Sequence, residues 1–353
     1  MTHVQDKFLY LLRLGLWGKV QEVRDVGLSD DEWKSVHEMA IIQTVQGLIY
    51  DGVLLLPDGQ RPSAAFLNRW GLEVKMIEQA NRKQLVQLTQ LHYLYEQEGG
   101  LRFCLVKGQG VARHYRHPLH RFCGDFDLWF GSGERVEEAN RLIESKGIAV
   151  ERGGTDDAEY YWNGTSIEHQ SRIITLHNPF LQKRLRRWET EAFEQSGEYP
   201  TALADLLLQM AHILKHHING GGLGFRHICD LAVSMVSLTY DADELQQLAR
   251  QWGLYRWGVL LCSLIHDILE VPVQQLPFPC SADSDLLFEE TWISGNFGIG
   301  SGTTRPRQWW ASKLYTMRKV RHKVSVFFHA APGECFWNTM SMVGYNISNL
   351  FNK

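Results

Sequence analysis

Apolar side chains in the first part of the chain recur at helical spacing. Phe8, Leu11, Leu12 and Leu16 fall on one side of a helix. Ser29-Asp30-Asp31-Glu32 stands ahead of Trp33, Val36, Met39 and Ala40, which joins an N-cap signal to an apolar face. Pro57-Asp58-Gly59 marks a turn. A long helix is predicted over residues 63–97, carrying Leu67, Trp70, Val74, Ile77, Leu85, Leu88, Leu91 and Leu94, and Gly99-Gly100 ends it. The pattern then changes. Residues 102–106 form a short apolar, β-favouring run that stops at Lys107-Gly108, and a second such run, 125–130, follows Gly124. Residues 110–115 and 134–146 read as helices around that second strand, the latter ended by Gly147. Residues 148–151, 159–162 and 166–177 alternate as half-buried strands do. From Thr201 onward helix returns, over 202–218, 226–238, 242–251 and 256–269. A proline-rich linker (272–279), a glycine-rich loop (295–302), a basic helix (308–325) and a weak helix or tail complete the chain.

These elements predict an α+β fold: a small mixed sheet with its helices, flanked by N- and C-terminal helical regions. The expected division is 1–98 for the first helical region, 99–190 for the mixed core and 191–353 for a C-terminal helical domain with a tail. At 353 residues the chain is too long for one small core.

Composition narrows the function classes. Hydrophobic residues make up 44% and charged residues 22%, and 12 Trp, 12 Tyr and 16 Phe supply a packed interior, which excludes extensive disorder. A net charge of -4 argues against holding a long nucleic acid, while small phosphorylated ligands need only a few local cations. The six cysteines form no CxxC pair and no zinc-ligand spacing, as expected of small hydrophobes in a reducing compartment. The opening apolar run is broken by Arg13 and lacks a signal-peptide cleavage pattern, and no run reaches the roughly 20 apolar residues that span a bilayer. The expected location is the cytoplasm.

Asp125 and Asp127 carry the chemistry. Positions i and i+2 of a strand share a face, so both carboxylates project together while Phe126 and Leu128 pack behind them. Like charges held this close repel unless a cation stands between them, and Mg²⁺, with Mn²⁺ as the alternative, takes such oxygen ligands and leaves positions open for phosphates. Alone, Asp-x-Asp is a weak signal and fits a solvated edge strand or turn better. Here Lys107-Gly108 ends the preceding strand, where a small residue lets backbone approach a phosphate, and Glu168 on a later strand offers a third acid.

The run from Leu105 through Lys107-Gly108-Gln109-Gly110, Tyr115, Pro118 and Arg121 to Gly124-Asp125-Phe126-Asp127-Leu128 resembles the bacterial uncharacterised nucleotidyltransferase family. Ile167-Glu168-His169 is similar to that family's acid-His strand. His212 to His216 and Gly224 to Asp230 are similar to its later helices, and Gly295-Asn296-Phe297-Gly298 to a further short motif. The resemblance spans about residues 100 to 300. It implies a polymerase β-like nucleotidyltransferase core with Asp125, Asp127 and Glu168 as metal ligands and catalytic acids. It also implies transfer of a nucleoside monophosphate from an NTP to an acceptor with release of pyrophosphate. Gln109 stands where the wider superfamily has Ser or Gly, and Lys107 offers a compensating cation.

Lys107, Gly108, Gln109, Arg121, His212 and Arg226 are the expected nucleotide contacts. Arg121 comes from a cationic stretch that also holds Arg113, His114, Arg116, His117 and His120. His212 and His216 share a helix face, as residues four apart do; with Asp230 they could hold a transition metal, as in a His/Asp phosphohydrolase, or form a polar seam with Arg226. The acceptor is left open among a small molecule, a sugar, a protein side chain and an RNA end. The competing expectation is a catalytically weak or inactive core that binds nucleotide or a protein partner.

Overall fold

The computed structural model describes residues 2–19, 25–153, 157–219, 221–296, 321–322, 324 and 326–351. The chain folds into two compact units. Met1–Ile173 with Trp188–Asp205 form the first, and Ile174–Arg187 with Leu206–Lys353 form the second.

The first unit begins with α1 (His3–Trp17), α2 (Asp30–Ile42) and α3 (Gln46–Leu54). Capping boxes start α1 and α2: Thr2 and Gln5 exchange hydrogen bonds, and so do Ser29 and Glu32. Helices α1 and α3 meet backbone to backbone. A Cβ at Gly15 would stand 1.8 Å from the Leu48 carbonyl oxygen, and one at Gly52 would stand 2.1 Å from that of Leu11. The 29-residue helix α4 (Ala64–His92) follows and runs on as a π-helical segment, Tyr93–Glu98.

The sheet has five strands in the order β1 (Cys104–Val106), β2 (Phe126–Trp129), β5 (Thr165–Gln170), β4 (Asp157–Trp162) and β3 (Glu151–Arg152). Only β2 and β5 run parallel; β1–β2, β4–β5 and β3–β4 are antiparallel. A short helix α5 (Gly108–Ala112) lies between β1 and β2, and α6 (Gly133–Ser145) between β2 and β3. Alternation along β2 and β5 separates two faces. Phe126, Leu128 and Ile167 enter a buried core with Tyr95, Phe103 and Tyr160, whereas Asp127, Glu168 and Gln170 take the other face. Within the core, His169 joins Asn140 through Nδ1 (2.7 Å) and Tyr95 through Nε2 (2.6 Å), and the Tyr95 hydroxyl meets that of Tyr160 at 2.6 Å. Burial lowers the His169 pKa to about 3, so its ring is neutral.

The second unit is helical: α8 (Ala202–Ile218) from Leu206 onward, α9 (Phe225–Ser237), α10 (Ala242–Gln251), α11 (Tyr255–Leu269), α12 (Asp285–Ser294) and a last helix, Pro332–Phe351. Trp257 is fully buried there and its indole N–H donates to the Met210 carbonyl at 2.8 Å. No helix among the described residues is long and apolar enough to cross a membrane.

Several sequence expectations need correction. The strand expected over 148–151 is reduced to Glu151–Arg152, because Gly147 at φ +78° and the Ile148 N–H to Ile143 bond turn that stretch into a helix exit. The strand expected over 166–177 stops at Gln170, where its neighbours end: Trp129 and Asp157 are its last partners. The helix expected over 110–115 starts two residues earlier, at Gly108, and ends at Ala112. Helix α7 (Pro179–Gln195) was not expected, nor was α12. Asn178 caps α7 by accepting from the Phe180 and Leu181 N–H groups. The basic helix expected over 308–325 lies almost wholly outside the described residues.

Candidate active site

The site is built where β1 turns back from β2. Val106 pairs with Asp127, so the chain that follows Val106 runs beside Asp125. The turn demands unusual backbone. Lys107 has φ +55° and ψ -152°, a region that a residue with a side chain rarely adopts, and Gly108 follows at φ +39°. A Cβ on Gly108 would lie 3.4 Å from the Asp125 carbonyl oxygen. That is ordinary contact, so it is the positive φ that glycine serves.

Asp127 and Glu168 are direct partners in the parallel β2–β5 ladder. The Gln170 amide joins them, donating to Asp127 Oδ1 at 2.5 Å and to Glu168 Oε2 at 3.0 Å. Lys107 Nζ donates to the same Asp127 oxygen at 3.1 Å. Asp125, one residue before β2, is exposed, whereas Asp127 is buried and Glu168 half-buried. Burial pushes the Glu168 carboxyl up to about 7; the Asp127 and Asp125 charges add to this, against the Gln170 hydrogen bond and the Lys107 charge. Burial alone would lower the Lys107 ammonium, but the Asp127, Glu168 and Asp125 charges outweigh it and raise its pKa.

A divalent cation would relieve the repulsion among these carboxylates beside the Lys107 ammonium. Among the described residues, however, no group of three or more His, Cys, Asp and Glu side chains stands arranged to hold a metal ion. Lys107 and Gln170 both donate to Asp127 Oδ1.

The other expected contacts are placed differently. Gln109 is buried, and its amide donates to Asn81 Oδ1 (2.9 Å) and Gln84 Oε1 (2.8 Å) on α4. With both amide hydrogens spent there, residue 109 has no side-chain donor left for a phosphate. Arg121 is 4% exposed, and its Nη1 donates to the Phe122 carbonyl at 3.0 Å. Nearby cations have partners of their own. Arg113 lies 3.9 Å over the Tyr199 ring, and His120 bridges Asp51 (2.7 Å) and Glu78 (2.8 Å). Burial works against the charged form of His120, but the two carboxylates prevail and raise its pKa.

His212 and Arg226 belong to the second unit. There the His212 ring lies 4.4 Å from His216 and 5.8 Å from His227, and Arg226 Nη2 stands 3.3 Å from His227 Nε2, a polar seam between α8 and α9. Sequence reasoning missed Gln170, although its position two residues beyond Glu168 puts it on the same face. It also missed the three amide side chains of α4, Asn81, Gln84 and Gln87, whose partners lie far away in the chain.

No curated protein and no solved structure matches the chain. A family model matches residues 29–270, taking in the N-terminal helices from α2, the whole sheet and the helices through α11. The match reaches well before residue 100 and ends ahead of the Gly295–Gly298 motif. Covering more than half of the sequence and containing Lys107, Asp125, Asp127 and Glu168, it shows that the chain belongs to the uncharacterised nucleotidyltransferase family.

Proposed function

We propose that the carboxylate face of the first unit transfers a nucleoside monophosphate from an NTP to an acceptor. In that reaction the acceptor oxygen bonds to the α-phosphorus, the bond from that phosphorus to the β-phosphate bridging oxygen breaks, and pyrophosphate leaves. The observation that carries the reading is the pairing of Asp127 with Glu168 across parallel strands, with Lys107 at the same oxygen. Asp125, Asp127 and Glu168 would hold Mg²⁺ or Mn²⁺, and the mutual repulsion that helps raise the Glu168 carboxyl fits such an ion. The ion supplies Lewis acidity toward the phosphate oxygens when bound. Glu168, on the same face as Asp127, would hold the ion or take the proton of the acceptor hydroxyl. Lys107 would exchange Asp127 for the triphosphate, and the missing side chain at Gly108 lets a phosphate approach the backbone beside it.

The acceptor is a small molecule, a sugar, a protein side chain or an RNA end; the charge of -4 speaks against a long nucleic acid. Six free cysteines agree with a cytoplasmic setting. A nucleotide-binding module without turnover is the second reading. It is favoured by the engagement of Gln109 with α4 and by the absence of a ready three-ligand metal arrangement among the described residues.

The test incubates the protein with Mg²⁺ or Mn²⁺ and each α-labelled NTP in turn, measuring pyrophosphate and self-labelling, beside Asp125→Ala/Asp127→Ala. Pyrophosphate that disappears in the double variant supports transfer. Nucleotide binding without pyrophosphate under every condition refutes it in favour of the binding module.

A further inference from the structure

Helix α4 carries Asn81, Gln84 and Gln87 at three-residue steps, and all are at most 5% exposed. Buried amides in the middle of a helix are costly unless each finds a partner, because the helix already consumes its own backbone groups. A face that only had to pack would be met by leucine. These amides grip backbone instead. Asn81 Nδ2 donates to the carbonyls of Leu119 (2.7 Å) and Arg121 (2.9 Å), and Gln84 Nε2 donates to that of Gly124 (2.7 Å). Gln87 Nε2 donates to the Trp162 carbonyl at 3.0 Å and Gln87 Oε1 accepts from the Thr165 hydroxyl at 2.9 Å. Lys83 Nζ adds a bond to the Asn163 carbonyl at 2.7 Å.

The gripped carbonyls are not scattered. Leu119, Arg121 and Gly124 lead into Asp125 and β2; Trp162 and Asn163 form the turn that leads into β5 and Glu168. Since β2 and β5 are parallel, both strands begin at the same end of the sheet, and one helix face holds both beginnings. Gln109, directly after the Lys107-Gly108 turn, closes the set by donating to Asn81 and Gln84.

We infer that Gln84 and Gln87 are positioning residues of the carboxylate site, fixing Asp125 and Asp127 on one strand and Glu168 on the other to a common helix. The inference rests on the carboxylate reading given above. Gln84 fixes the plane of the peptide that precedes Asp125; Gln87 fixes the turn from Trp162 to Thr165, which ends three residues ahead of Glu168. Neither touches the acids.

The experiment measures Mn²⁺ binding by the loss of the free-ion paramagnetic resonance signal, with and without a non-hydrolysable NTP. The proteins are wild type, Gln84→Glu, Gln84→Met, Gln87→Met and, as a control on the exposed side of α4, Thr89→Ala. Supporting residues behind metal ligands typically change affinity by about 10–100-fold. A loss of about tenfold or more is expected in the three glutamine variants and none in Thr89→Ala, with far-ultraviolet circular dichroism unchanged. Gln84→Glu keeps the size of the side chain and still accepts from Gln109, so it separates lost aim from lost packing. Should one variant fail to fold, the others carry the comparison. Wild-type Mn²⁺ binding with equal binding in the folded glutamine variants overturns the inference alone. No Mn²⁺ binding by wild type overturns the carboxylate reading and the inference with it.

Discussion

Replacing Glu168 by glutamine tests whether the acids are crowded as described. The carboxyl stands at about 7 against an ordinary 4.5. The folded chain therefore keeps a proton that the unfolded chain has lost between those values. Stability from this source is whole below about pH 4.5, declines as pH rises, and is gone above about pH 7. At roughly 1.36 kcal/mol per pH unit the gap corresponds to at most about 3 kcal/mol. Solvent reaches the half-buried side chain, and screening reduces this to about 1–2 kcal/mol. Glutamine does not ionise, so Glu168→Gln removes the penalty above neutrality and leaves acid stability nearly as it was. Urea denaturation in EDTA at about pH 5 and about pH 8.5 reads the difference, and the variant is expected to gain about 1–2 kcal/mol relative to wild type on going to the higher pH. A variant whose effect is the same at both values, or worse at the higher one, would show that burial and the neighbouring carboxylates together do not raise the Glu168 carboxyl.

Lys107→Ala is expected to raise the KM for NTP in pyrophosphate release about tenfold, the loss of one charge-assisted hydrogen bond; an unchanged KM removes Lys107 from the phosphate site. Tyr95→Phe leaves His169 Nε2 and the Tyr160 hydroxyl without their shared partner, and urea midpoints should register a loss of about 2–3 kcal/mol. Adding Tyr160→Phe should then cost less than the two single changes summed. Gly52→Ala forces α1 and α3 apart, and a loss of about 3 kcal/mol is expected in the same assay, against a few tenths for Gly59→Ala, where a Cβ meets nothing.

The helices of the first third and α8 to α11 were legible because burial repeats at their own period, and Ser29 with Glu32 announced where α2 begins. Strand alternation placed Asp125, Asp127 and Glu168 on one face. What it could not supply was the pairing of β2 with β5, the relation that makes Glu168 a neighbour of Asp127. Helix α7 stayed hidden because Lys183, Arg184, Arg186 and Arg187 dominate its sequence, although Asn178-Pro179 is a start signal and Leu185 and Phe193 are buried. Gln109 looked like a substitution at a phosphate contact, whereas its partners are Asn81 and Gln84, and no local pattern connects positions so far apart.

The parallel ladder between β2 and β5 has a consequence in time. Its two strands cannot meet through a tight turn; α6, β3 and β4 must be laid down first, and closing so long a loop is slow beside winding a helix. Asp127 and Glu168 become neighbours only when that closure is complete. A chain that has locally opened along this seam carries every residue of the constellation yet has not brought the two acids together.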